Sequence, residues 1–176
     1  MCDQVAPRWV LHVCPPNGGG VDRFVRDVCR RRPQDWMAHV SDTQCVLEQP
    51  STGQMIALQW EQLKPALMSG ALGTPATLHA HSTESNVSQF CALWGRDIAR
   101  IVTLHDINFV GKGDTPPQRK ARHQFISEAH MLTVPSEFIA GVLRTTNGLE
   151  TLACRVVENG ADPFSANVPS DLPANT

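Results

Sequence analysis

Two histidines stand two residues apart in Thr77-Leu-His-Ala-His81, and a third closes the apolar run Ile101-Val-Thr-Leu-His105 just before Asp106. On an extended strand, that spacing puts His79 and His81 on one face. Imidazole so placed can ligate a metal, exchange a proton near neutral pH, or hydrogen-bond a phosphate or a sugar hydroxyl. His-x-His is a metal-ligand spacing, to which His105 and Asp106 could add donors; a small metal-dependent hydrolase using His79, His81 and His105 is one function it suggests. Hydrolases built on that motif generally need a full barrel, which 176 residues cannot supply. The expectation is therefore no metal, with His79 half-buried in a sheet and His81 and His105 at the rim of a site.

A different chemistry is written near the N-terminus. Trp9-Val-Leu-His-Val-Cys14 is a short apolar run, stopped by Pro15-Pro16 and followed by Asn17-Gly-Gly-Gly20. Beyond it, Val21, Phe24, Val25, Val28 and Cys29 recur at helical spacing. The unit reads as strand, glycine turn and amphipathic helix. Glycines at 18 to 20 let backbone approach a ligand, and free N–H groups in the first helical turn favour an anion. Arg23 occupies the place of a dinucleotide fingerprint's third glycine, and no Gly-Lys-Ser/Thr follows for a Walker-type loop.

These residues need a scaffold, and strand and helix signals alternate along the chain. Strands are predicted at 9–13, 36–40, on both sides of a turn within 45–58, and at 77–81, 101–105, 131–134 and 155–157. Helices are predicted over 21–32, 61–68 with a kink or boundary at Pro65, 85–94, 118–129, and from Ser136 onward. Residues 106–117 read as a long polar loop. Such alternation predicts a Rossmann-like α/β fold, a mostly parallel sheet with helices on both faces. Sites in such sheets gather where strands end. The segments after the predicted strands are Pro15 to Gly20, His81-Ser-Thr-Glu84, His105-Asp-Ile-Asn108, Pro135-Ser-Glu137 and Glu158 to Asp162, polar residues collecting at one rim.

Composition narrows the classes. A net charge of −2 implies no broad nucleic-acid surface. Six cysteines are scattered without a Cys-x-x-Cys pair, as reduced buried thiols of a cytoplasmic protein would be. No run approaches the roughly 18 apolar residues of a membrane span, so any membrane contact would be peripheral. Lys112, Arg119, Lys120, Arg122 and His123 cluster around the long loop, as a solvated helix face or as an approach to an anionic acceptor or phospholipid.

Read in order, five segments resemble the N-terminal, acceptor-side domain of a GT-B glycosyltransferase, in the retaining, family 4-like group that includes sucrose synthase. They are Val10-Leu-His-Val13 with Gly18-Gly-Gly20, Leu78-His-Ala-His-Ser82, Ile101 to Asp106, Leu132-Thr-Val-Pro-Ser-Glu-Phe-Ile139 and Val156 to Asp162. The resemblance implies transfer of a sugar from a nucleotide-sugar to an acceptor, without metal or further cofactor. It implies Gly19 and Gly20 beside the donor diphosphate, His105 as the catalytic residue by the transferring sugar, and His81, Ser82, Asp106, Ser136 and Glu137 toward the acceptor. Asn159-Gly160 and Asp162 match the crossing into a second domain. Residues 8–162 are then the Rossmann-like domain and 163–176 a polar, flexible tail. A C-terminal Rossmann-like domain, in cis or in trans, would be the partner needed for full activity, and the cytoplasm or the inner membrane face the location. A non-catalytic module binding an acceptor or a phosphorylated ligand is the alternative.

Overall fold

The computed structural model describes residues 9–16, 19–69, 73–95 and 97–158. Gly18, the crossing residues Asn159, Gly160 and Asp162, and the tail 163–176 lie outside that set. The chain runs β1 (Val10–Cys14), α1 (Gly20–Arg31), β2 (Trp36–Val40), β3 (Gln44–Gln49), β4 (Gln54–Gln59), α2 (Trp60–Met68), β5 (Thr77–Ala80), α3 (Ser85–Leu93), β6 (Ala99–Thr103), a 3-10 turn (Ile107–Val110), α4 (Pro116–Ser127), β7 (Met131–Val134), α5 (Glu137–Thr145) and β8 (Cys154–Val156). The strands form one sheet ordered β4-β3-β2-β1-β5-β6-β7-β8. From β2 through β8 across the sheet all pairings are parallel; β3 runs antiparallel to both of its neighbours. This is the α/β, Rossmann-like architecture that the alternation predicts.

The first strand, β1, lies in the middle of the sheet. The chain walks outward through β2, β3 and β4, then returns to the other side of β1 and walks outward through β5 to β8. The order therefore reverses between β1 and β5, where adjacent connections leave in opposite directions and open a crevice.

Alternate residues of each strand divide between two faces. One face carries Leu11, Val13, Ala38, Val40, Cys45, Leu47, Leu78, Ala80, Val102, Leu132 and Val134. Against it pack Leu63 of α2, Val87, Phe90 and Cys91 of α3, Phe125 and Ile126 of α4, and Ile139, Ala140 and Leu143 of α5. The other face carries a small apolar cluster in which Val25 and Cys29 of α1 cover Cys14 and Met37. Helices thus lie on both faces, but four of the five lie on one.

The local chemistry explains most boundaries. α1 begins at Gly19, whose φ of 130° is closed to residues with a Cβ, and it carries Asp22 in its first turn and Arg30 and Arg31 in its last. α2 passes through Pro65 without ending there. The predicted loop over 106–117 is shorter than its polarity suggests. Asp106 caps the 3-10 turn, and α4 starts at Pro116 because proline suits a first helical turn, where its missing N–H has no partner to lose. Thr115 and Gln118 cap that helix reciprocally. The strand before His105 ends at Thr103, two residues early, and the last strand lies one residue before its predicted place.

Candidate active site at the strand-order reversal

Four of the residues singled out by sequence come together. His81, Ser82, His105 and Asp106 line one pocket with Pro15, Val21, Thr103 and Arg122. Pro15 follows β1 and Val21 is the second residue of α1, so the glycine turn opens onto the same place. Thr83, Glu84 and Arg122 also border a larger neighbouring cleft of about 470 Å³ reaching Ser41, Asp42, Asn86 and Asp114. The histidines line the smaller pocket, and the larger, polar one adjoins it.

Each rim residue is held by local structure. Asp106 accepts from the backbone N–H of Asn108 at 2.7 Å and from its side-chain amide at 2.9 Å, which makes it a turn residue as well as a wall. Arg122 donates to Asp114 at 2.8 and 3.2 Å and to the Thr83 hydroxyl at 2.6 Å, tying α4 to the loop after β5. Its hydrogen bond holds the Asp114 carboxyl below the usual range. Lys112, Arg119 and Lys120 are exposed. Ser136 caps α5 by accepting from Ile139 N–H at 3.3 Å, and Glu137 faces solvent 3.7 Å from Arg144. Both follow β7 on the same rim, away from the pocket that His105 lines.

Beneath the rim lies a polar network that the sequence did not announce. His12 and His79 are register partners on β1 and β5, so they share the face opposite the main core. His81, expected at the rim, is 4% exposed and packed among imidazoles. Its Nε2 is 3.0 Å from His12 Nδ1 and its Nδ1 is 3.0 Å from His105 Nε2. His79 pairs with the Thr103 hydroxyl at 2.7 Å, which meets Thr133 at 2.6 Å. Asp35, buried just before β2, accepts from Val10 N–H at 2.9 Å; Arg32 lies 2.8 Å and His12 Nε2 3.8 Å from its other oxygen. The face continues under α1 with Arg26 between Glu48 and Asp22, and His39 3.4 Å from each of those carboxylates.

This burial sets the protonation states. It pushes His79 down to about 3 and, with His79, His12 and His105 alongside, takes His81 well below its ordinary range. Burial lowers His105 too, against the opposing charge of Asp106. Burial alone would raise the Asp35 carboxyl, but His12, the Val10 N–H and Arg32 outweigh it and hold the group below its usual value. His79, His81 and His105 are therefore neutral imidazoles at pH 7.

The metal reading changes partners. His12, not His105, joins His79 and His81, with one nitrogen from each within 4.8 Å of the others. His12 Nδ1 and His81 Nε2 are already hydrogen-bonded at 3.0 Å, so a metal using those two atoms would have to displace that bond. Four cysteines, Cys14, Cys29, Cys45 and Cys91, are buried free thiols, and burial raises each to about 12; Cys154 is free and half-buried. The four buried thiols are packing residues of the two apolar layers. Among the described residues, no helix is long and apolar enough to cross a membrane.

No curated protein matches the chain. Residues 24–163 match the model of Glycosyltransferase Family 4, a match that starts just after the glycine turn and takes in both histidine strands and the segment after β7. With most of its length matched and its polar residues gathered at the strand-order reversal, the chain belongs to glycosyltransferase family 4.

Proposed function

We propose that the rim of Gly19, Gly20, His81, Ser82, His105 and Asp106 is one wall of a sugar-transfer cleft. The domain takes part in moving a glycosyl unit from a nucleotide-sugar to an acceptor. The observation that carries this reading is that His105 and the glycine-opened helix meet at the strand-order reversal in a family 4 chain. The backbone N–H groups of Gly19 and Gly20 suit a diphosphate at the positive end of α1. His105 stands beside the transferring sugar. The larger polar cleft lined by Asp42, Glu84, Asn86 and Arg122 has the size and hydrogen-bonding groups for an acceptor, and Ser136 and Glu137 stand apart from it on the same rim.

A second Rossmann-like domain, in cis or in trans, completes the site in a GT-B arrangement and supplies the charges that grip the donor phosphates. Exposed apolar residues at the rim support such a partner. Ile107, Phe138 and Val157 follow β6, β7 and β8 and are 50%, 71% and 55% exposed. Retaining chemistry without metal is part of the same proposal. Because nucleotide-sugars are cytoplasmic donors, the reading places the domain in the cytoplasm, with exposed Lys112, Arg119 and Lys120 available to an anionic membrane face.

The test is titration of the isotopically labelled 176-residue chain with UDP- and GDP-sugars, followed by amide NMR and by donor turnover. The expected result is weak binding that shifts Gly19, Gly20 and His105, with turnover only after a C-terminal domain of the family is added. Binding without turnover even then would leave the non-catalytic module as the better reading. Donor turnover by the chain alone would show that no second domain is needed.

A further inference from the structure

His105 is the outermost member of a line of imidazoles that ends on a buried carboxylate. Hydrogen bonds join His105 Nε2 to His81 Nδ1 and His81 Nε2 to His12 Nδ1, each at 3.0 Å; His12 Nε2 makes none and faces Asp35 Oδ2 at 3.8 Å. A neutral imidazole has one N–H and one bare nitrogen. Rings joined nitrogen to nitrogen must therefore all point the same way, each donating at one end and accepting at the other.

Asp35 decides which way. It is 1% exposed, it takes the Val10 N–H on one oxygen, and it has the Arg32 guanidinium on the other, so it is a fixed acceptor. A bare His12 Nε2 turned toward that carboxylate would set two lone pairs against each other out of water. His12 consequently carries its proton on Nε2 and accepts on Nδ1 from His81 Nε2–H. His81 in turn accepts on Nδ1 from His105 Nε2–H.

We propose that Asp35, acting through His12 and His81, locks His105 as its Nε2–H tautomer with Nδ1 bare, so that His105 meets its ligand as a hydrogen-bond acceptor. That selects a hydroxyl, which has a proton to give, over a phosphate oxygen, which has none. Asp35, His12 and His81 are positioning residues, and His79 stands outside the line on its own bond to Thr103. The inference rests on the sugar-cleft reading for the identity of the hydroxyl as a sugar's; the tautomer is a property of the chain alone.

Long-range proton–nitrogen NMR correlation of the histidine-labelled chain at neutral pH reads each tautomer directly. His12, His81 and His105 should all be Nε2–H. Asp35→Asn removes the carboxylate charge that sets the direction of the line, and His105 should then populate both tautomers; a pure Nε2–H His105 in that variant would also overturn the proposal. An Nδ1–H His105 in the unmodified chain, an imidazolium at His12, or zinc on His12 and His81 would each overturn the proposal. If the Asp35→Asn chain does not fold, His12→Phe cuts the line, and His105 should then populate both tautomers; a pure Nε2–H form there also overturns it. Loss of the Gly19 and Gly20 shifts with nucleotide-sugar would count against the cleft and leave the tautomer result standing.

Discussion

The two faces of the sheet come from alternate residues of the same strands and have opposite characters. Leu11, Leu78, Val102 and Leu132 look one way into a continuous apolar layer. His12, His79, Thr103 and Thr133 look the other way, into hydrogen bonds. The first face is held by the non-directional withdrawal of apolar area from water, so it accepts four helices with no demand on exact atom placement. The second is held by polar groups that each need a partner at a set distance, and it buries them at a cost repaid only when every partner is present. One face makes the fold stable. The other ties the C-terminal rim to fixed polar partners.

The contrast can be attacked from either side. Phe90→Ala empties a fully buried ring from the apolar layer and should cost about 3–5 kcal/mol in urea unfolding; a cost under about 1 kcal/mol would mean that this face does not carry the stability. His105→Ala should do the reverse. In an enzyme completed by its second domain, turnover should fall about 10²- to 10³-fold with less than about 1 kcal/mol of stability lost, and unchanged turnover would remove His105 from the chemistry.

The pH dependence tests the polar face alone. Folded His79 binds its proton near 3, below the ordinary value of 6.5, so between those values the unfolded chain binds more protons and stability falls as pH falls. His81 and His105 shift in the same direction. His79 should cost up to roughly 1.4 kcal/mol per pH unit below about 6.5, with His81 and His105 adding in the same direction. Urea melts at pH 7.5 and 5.5 would show it, and a flat profile would mean that these rings are solvated. The smallest effect lies outside both faces. Ser136→Ala removes the α5 cap and should cost about 1 kcal/mol by the same melts, while leaving the histidine tautomers untouched.

Much of this was legible in the residues. Apolar runs bounded by Pro and Gly located the strands, since a proline ends a ladder and a glycine permits the turn. His81, Ser82, His105 and Asp106 could be grouped because parallel strands deliver their ends to one rim. Asp35 could not be found, since nothing in Arg32-Pro-Gln-Asp35 separates a turn aspartate from a buried anchor. His12 sat in plain view as the odd residue of Val10-Leu-His-Val13. The signal was partial: only β5 alternates strictly, Thr77-Leu-His-Ala80, while Val10, Ile101 and Met131 put apolar residues on the same face as His12, Thr103 and Thr133.

The sequence by itself determined the element order, the glycine at a positive φ that opens α1, and the polar segments at the strand ends, because these follow from backbone sterics and from a period of two or 3.6 residues. Only the tertiary structure decided that β5 lies against β1. That one pairing sets His12 beside His79 and brings His81 within reach of both His12 and His105. Register across a sheet is fixed by the packing of a whole face at once, so contacts between residues 12, 35, 81 and 105 exist only after the chain has folded.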